Sequence, residues 1–276
     1  MVNYKVNHNR FGRATETVRR GSGSFFQPPR PATDFAPWIK RQPGPAGRAG
    51  QGAIIVFPHA GAAASSYRTL ATALAAGGDT FVVQYPRRAE RLNHPAPQTI
   101  HDLAHELFQA GPWHQAAPLR LFGHSMGALV AFEFARIAEQ HRIPVHKLWV
   151  SAGPVPSSVA ALPELPTSTS ELLADLARLG GTDPRLLADE EFAQLMAEAA
   201  RCDYEALNRY ECSDRVRIRA DIHAFGGRSD NRVDAGSLRR WAHHTNGSFG
   251  MSLFDGGHFF INEHTNTAAN RVITDV

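Results

Sequence analysis

From Ala53 onward the chain alternates short apolar runs with stretches of helical periodicity, and this alternation leaves few architectures open to it. The runs 53–57 (Ala-Ile-Ile-Val-Phe), 80–83, 119–122, 147–150, 220–225 and 249–254 read as strands. The first four are mostly continuous apolar sequence, as expected where helices cover both faces of a sheet. Between them, Tyr67, Leu70, Ala71 and Leu74 share one helical face that Gly77-Gly78 closes, and residues 100–108 and 126–139 follow the same period. Strand and helix in strict alternation predict an α/β fold: a mainly parallel central sheet flanked by helices.

One connection exceeds what a crossover needs. Ala152 to Arg219 is about 65 residues, against the roughly 30 of a complete strand–helix–strand unit. Within it, Ser168-Thr169-Ser170-Glu171 has the form of a capping box, followed by Leu172, Leu173, Leu176 and Leu179 on one face and Gly180 as a stop. A second helical pattern runs from about Asp189 to Tyr210. The spacing predicts a helical lid inserted at about 154–212.

The region before the first strand differs in kind. Residues 1–50 carry nine Lys/Arg against Glu16 and Asp34, with six prolines and six glycines, which leaves 20 basic and 24 acidic side chains in the other 226 positions. The pI of 9.1 therefore reports on a basic tail, and a nucleic-acid-binding domain has little support. Residues 1–34 are expected to be a disordered tail, and 35–276 one domain, with Phe35, Trp38 and Ile39 as an apolar strap onto it. No apolar run approaches the ~20 residues of a membrane span. The first thirty residues lack the apolar core of a secretory signal. With only Cys202 and Cys212, neither a disulfide framework nor a thiolate metal cluster is expected, and a reducing cytoplasm is the expected compartment.

The chemistry concentrates at Gly123-His124-Ser125-Met126-Gly127, between the strand ending at Phe122 and a helix rich in Ala, Leu and Phe. A strand–turn–helix carrying G-x-S-x-G is the context of a nucleophile elbow, which presents a strained serine at the strand end. A serine needs a base and the base an orienting carboxylate, in the chain order Ser, Asp/Glu, His. Gly226-Gly227-Arg228-Ser229-Asp230 follows one strand, and Gly256-Gly257-His258 the next. Ser125, Asp230 and His258 are the candidate triad; Asp234 and Asp255 stand close enough in sequence to compete for the acid's role.

Other histidines fit the base less well. His101 and His105, four apart, suit an exposed helical face and lack a third metal ligand; His223 lies within a strand, and His243, His244 and His264 lack an adjacent glycine pair. A tetrahedral oxyanion needs backbone donors, and the small-residue turn Phe57-Pro58-His59-Ala60-Gly61 after the first core strand provides one. The amides of Ala60 and Met126 are the candidates.

At these residues the chain resembles the type II thioesterases that accompany nonribosomal peptide and polyketide synthases. The resemblance spans roughly Trp38 to the C-terminus. It rests on Phe57-Pro58-His59-Ala60-Gly61 with Ser65 and Tyr67, on Gly123-His124-Ser125-Met126-Gly127, and on Trp149-Val150-Ser151. It continues through Leu179-Gly180-Gly181-Thr182, Asp203-Tyr204, Asp230, Trp241 and Gly257-His258-Phe259-Phe260. The resemblance implies an α/β-hydrolase fold with a lid, and hydrolysis of acyl or aminoacyl thioesters from the phosphopantetheine arms of acyl or peptidyl carrier proteins. No metal or cofactor is implied, because the phosphopantetheine belongs to the substrate.

The sequence departs from the family pattern where paired glycines become Gly61-Ala62 and where Pro-Gly-Arg becomes Pro86-Arg87-Arg88. A fatty-acid chain-terminating thioesterase, a carboxylesterase or lipase of the same fold, and a noncatalytic carrier-binding partner are the alternatives.

Overall fold

The computed structural model describes residues 35–45, 52–182, 185 and 188–275; the expected basic tail, 1–34, lies outside them. Among the described residues, β1 (Ile39–Gln42), β2 (Ile54–Phe57), β3 (Thr80–Val83), β4 (Leu119–His124), β5 (Val145–Ser151), β6 (Asp221–Gly227) and β7 (Phe249–Phe254) form one sheet in the order β1-β3-β2-β4-β5-β6-β7. Every neighbouring pair is parallel except β1 with β3. The segment expected as a strap is thus partly a strand. Trp38 is buried, but Ile-Lys-Arg-Gln pairs antiparallel on the sheet edge, where an exposed face tolerates charge and removes the apolar signature.

Continuous apolar runs are explained by two cores. Ile55, Phe57, Leu121, Leu148 and Val150 point to one face, packed with Leu103 and Leu107 of α2 (Ile100–Ala110) and with Leu129, Phe132 and Phe134 of α3 (Met126–Gln140). Their strand neighbours Ile54, Val56, Phe122, Trp149 and Phe225 point to the other. There they meet Leu70 and Leu74 of α1 (Arg68–Leu74) and the C-terminal helix Thr265–Thr274. Burying each such side chain contributes on the order of 1.5–3 kcal/mol, so either face alone would leave half of every run in water.

Between β5 and β6 lie a short 3-10 segment, Pro156–Ala161, then α4 (Thr169–Leu179) and α5 (Glu190–Asn208). Leu172 and Leu176 are buried, and Leu173 packs partly buried against the same core. The capping box expected at Ser168 does not form as such: its hydroxyl bonds the Glu171 carboxylate and caps no backbone amide. A side-chain pairing in water competes directly with the cap. Gly180 ends α4 with φ 75°, and Asp189 caps α5 through Phe192 N at 2.9 Å. No helix among the described residues is long and apolar enough to cross a membrane.

The strand order has a functional consequence. The chain passes from β2 to β3 on one side, then returns to place β4 on the other side of β2. Loops leaving the carboxyl ends of β2 and β4 therefore diverge and open a crevice between them.

Candidate active site

Ser125 sits directly after β4 at that crevice, with φ 54° and ψ −120°, a conformation costly for any residue with a side chain. Its own amide donates to Ser151 O at 2.8 Å, and α3 starts at the next residue. The two motif glycines are needed because the elbow is squeezed. A Cβ at position 123 would stand 2.2 Å from the carbonyl oxygen of Gly127, and one at 127 would stand 2.0 Å from that of Phe57.

His258 follows β7 and Asp230 follows β6, and the sheet brings both to Ser125. His258 Nε2 lies 2.9 Å from Ser125 Oγ, and His258 Nδ1 lies 2.9 Å from Asp230 Oδ2. Both residues are buried. The amides of Arg232 and Val233 donate to Asp230 Oδ1 at 2.8 and 3.2 Å, which leaves the other oxygen for the imidazole. The acid and histidine turns cross closely: a Cβ on Gly227 would be 2.2 Å from Gly257 O. The competing acids are engaged elsewhere. Asp234 caps the helix Ala235–Arg239, and Asp255 points into solvent beside Arg228.

Two further histidines surround this group, and their state is not legible from local sequence. His124 is fully buried, with Nδ1 2.9 Å from Ser151 Oγ. His59 Nδ1 lies 2.7 Å from the Tyr67 hydroxyl, which also accepts from the His59 amide at 3.1 Å. Burial, reinforced by the nearby His258 and Arg88, pushes the His59 pKa down to about 3. Burial likewise holds His124 well below the usual histidine range. Both rings are therefore neutral at pH 7, and the Tyr67 O–H donates to a bare His59 Nδ1. Five of the other histidines are engaged away from Ser125: His101 stacks on Tyr210, His105 meets Gln109, His223 bonds Asp275 and Ser252, His244 bonds Ser157, and His264 bonds Asp255 O.

Ala60 lines the cavity beside Ser125. In its turn the His59 amide is held by Tyr67, the Gly61 amide by Asp203, and the Ala62 amide by His59 O. Among the described residues no acceptor meets the Ala60 N–H. Met126 is the first residue of α3, where the helix offers its amide no acceptor either. The cavity over Ser125 is about 730 Å³, with Leu176 and Leu179 of α4 and Phe192, Met196 and Leu207 of α5 among its walls. Its size and apolar character suit a small organic ligand.

Charged side chains tie α4 and α5 to the turns after β2, β3 and β6, and no local spacing encodes these pairings. Asp203 of α5 accepts from Gly61 N at 2.7 Å and pairs with the Arg88 guanidinium, both side chains being buried. Asp175 of α4 accepts from Arg232 at 2.7 and 2.8 Å and from Tyr204 Oη at 2.8 Å.

Comparison with known proteins agrees with this architecture. The thioesterase domain family matches residues 53–275. Phenyloxazoline synthase MbtB of Mycobacterium tuberculosis is 55% identical over 251 residues, covering 91% of this chain; the chain spans only 17% of that synthase's length. Thioesterase PikA5 of Streptomyces venezuelae is 33% identical over 87% of this chain and 85% of its own. The solved structure of the type II thioesterase BorB from the borrelidin biosynthetic cluster is 36% identical, covers 86% of this chain and 96% of its own, and superposes with a TM-score of 0.73. A parallel sheet with the serine elbow at its crevice, the helical insertion above it and the match across 53–275 lead to one assignment: the chain belongs to the thioesterase domain family and has the α/β-hydrolase fold.

Proposed function

We propose that the protein is a type II thioesterase, hydrolysing acyl or aminoacyl thioesters from the phosphopantetheine arms of acyl or peptidyl carrier proteins, in the cytoplasm and without a metal or bound cofactor. The observation that carries the reading is the relay of 2.9 Å contacts from Asp230 through His258 to Ser125, on the floor of a lid-walled cavity.

In this mechanism Ser125 Oγ attacks the thioester carbonyl while His258 Nε2 takes its proton. Asp230 accepts from His258 Nδ1–H, holds the tautomer and stabilises the imidazolium. Charge developing on the carbonyl oxygen is met by the amides of Ala60 and Met126. Collapse of the tetrahedral adduct breaks the C–S bond, and the imidazolium proton leaves with the phosphopantetheine thiol. His258 then takes a proton from water, the resulting hydroxide attacks the acyl-serine, and the acid departs as Ser125 recovers its proton. His59 and His124, kept neutral, add no positive charge beside the base.

The test is a panel of acyl groups loaded on carrier protein, each paired with its oxygen ester. Faster release from the thioesters is expected. Preference for the oxygen esters would favour a carboxylesterase, preference for long fatty acyl chains a chain-terminating enzyme, and binding without turnover a noncatalytic partner.

The 55% identity to part of a phenyloxazoline synthase favours a second reading, in which the acyl group carries an aryl-substituted oxazoline and the domain releases it within a synthase of that kind. Including such an acyl group in the panel separates the two.

A further inference from the structure

The lid helix α5 places two consecutive side chains against different parts of the site. Tyr204 bonds Asp175, whose partner Arg232 is backbone-linked to the Asp230 carboxylate. Asp203 instead reaches the turn after β2, where Oδ2 accepts from the Gly61 amide at 2.7 Å and from Arg88. These partners are distant in sequence, 142 positions for Gly61 and 115 for Arg88.

Desolvating a carboxylate is costly, and burial raises the Asp203 pKa even though Arg88 and the Gly61 amide oppose it. An apolar side chain could have packed this helix against the turn at less expense. What the carboxylate adds is a directional, charge-assisted bond to one backbone amide. Its position is informative. With His59 N held by Tyr67 and Gly61 N held by Asp203, the turn is fixed on both sides of Ala60, whose N–H is left without an acceptor beside Ser125.

We propose that Asp203 is a positioning residue: from the lid, it holds the Gly61 amide so that the Ala60 N–H faces the oxyanion formed at Ser125. This rests on the thioesterase mechanism above and adds a coupling to it, because the oxyanion site is complete only while α5 is docked. Arg88 pairs with the carboxylate, opposes the effect of burial on its charged form, and keeps it from rotating away. A preorganised donor is effective because it needs no reorientation as charge develops.

The test compares wild type, Asp203→Asn, Asp203→Ala and the double variant Asp203→Ala/Arg88→Met, which removes both buried charges together. Each is assayed on a short acyl thioester of a small thiol. Each is also titrated with a trifluoromethyl ketone analogue, which forms a tetrahedral oxyanion on Ser125, and with an amide analogue, which does not. Removing an oxyanion donor outright costs about 100- to 1,000-fold in kcat, so mispositioning one is expected to cost ~10- to 100-fold. The two Ala-containing proteins should show that fall in kcat with KM changed less than about threefold. Trifluoromethyl ketone affinity should fall in parallel, with amide affinity retained. Asp203→Asn, which keeps an acceptor for Gly61, should recover most of the loss.

A folded double variant with kcat within about twofold of wild type would overturn the positioning role, as would equal weakening of both analogues. If Asp203→Ala does not fold, the double variant gives the same readout, with Asp203→Asn as its acceptor-retaining reference. Wild-type protein that turns over no thioester overturns the functional reading and this one with it, whereas an active wild type with an equally active Asp203→Ala overturns the positioning role alone.

Discussion

Arg232 holds the buried carboxylate of Asp175 from Nη2, 2.7 and 2.8 Å from its two oxygens, while its own amide donates to Asp230 Oδ1 at 2.8 Å. One residue thereby links the α4 lid helix to the acid turn of the candidate triad. Arg232→Met should destabilise the protein by about 1–3 kcal/mol, because Asp175 stays buried with a charge less well matched. The amide to Asp230 survives, so kcat should fall only a few-fold. Restoring neutrality with Arg232→Met/Asp175→Asn should return part of the stability. Urea unfolding alongside turnover measures both.

Within the triad, Ser125→Ala and His258→Ala should each lower thioester hydrolysis by roughly four orders of magnitude with the fold intact, and Asp230→Asn by a comparable factor. Asp255→Asn should be silent, because that side chain is solvent-exposed and, among the described residues, pairs with Arg228. Circular dichroism establishes folding, and steady-state kinetics gives the rates. Near-normal turnover in folded Ser125→Ala would remove the covalent mechanism.

Stability should fall with acidification, and the sign follows from the histidines. His59 has a pKa near 6.5 unfolded and about 3 folded, so below pH 6.5 the unfolded chain binds a proton that the native state refuses. Each unit of pH between about 6.5 and 3 then removes up to about 1.4 kcal/mol through this residue. His124 acts in the same direction. At Asp175, burial raises the pKa but the bonds from Arg232 and Tyr204 outweigh it, so that carboxylate's contribution disappears at still lower pH. Denaturant unfolding at a series of pH values checks the slope, which His59→Asn should make shallower.

Arg87 has φ 67°, in the left-handed region that favours glycine. Its contact with Glu198 is 3.8 Å long and partly exposed, and contributes little. Relief of backbone strain, about 1–2 kcal/mol, is partly offset by the greater freedom of glycine in the unfolded chain. Arg87→Gly should therefore raise stability by about 0.5–1 kcal/mol, read as a small increase in Tm.

Leu176 is nearly buried in α4 and also lines the cavity over Ser125. Leu176→Gln should disturb the channel more than the sheet: activity on an acyl thioester should drop at least tenfold, with the main unfolding transition lowered by a few degrees. A large Tm loss with unchanged kcat/KM would show that the side chain serves packing alone.

Much of this protein is written locally. Ile54 to Phe57 alternate between two cores, and only a strand covered on both faces buries all four, so their continuous apolar run announces a parallel sheet. The Ser125 elbow is legible because its glycines, its serine and the following helix lie within a few residues. Asp230 and His258 could be nominated because each follows a strand in the required order.

Other features only the tertiary structure decided. The edge strand β1 owes its place to hydrogen bonds with β3, and its Lys40 and Arg41 hide it from any apolar pattern. Asp230, Asp234 and Asp255 all lie in turns after the last strands. The choice among them depends on how the turns after β6 and β7 cross at Gly227 and Gly257, which no local spacing encodes. The neutrality of His59 and His124 is a property of burial, supplied by side chains far away in sequence. So are the ties from Asp203 to Arg88 and from Asp175 to Arg232. Short-range order along the chain sets helix and strand, whereas charge state and long-range pairing follow from which segments exclude water together.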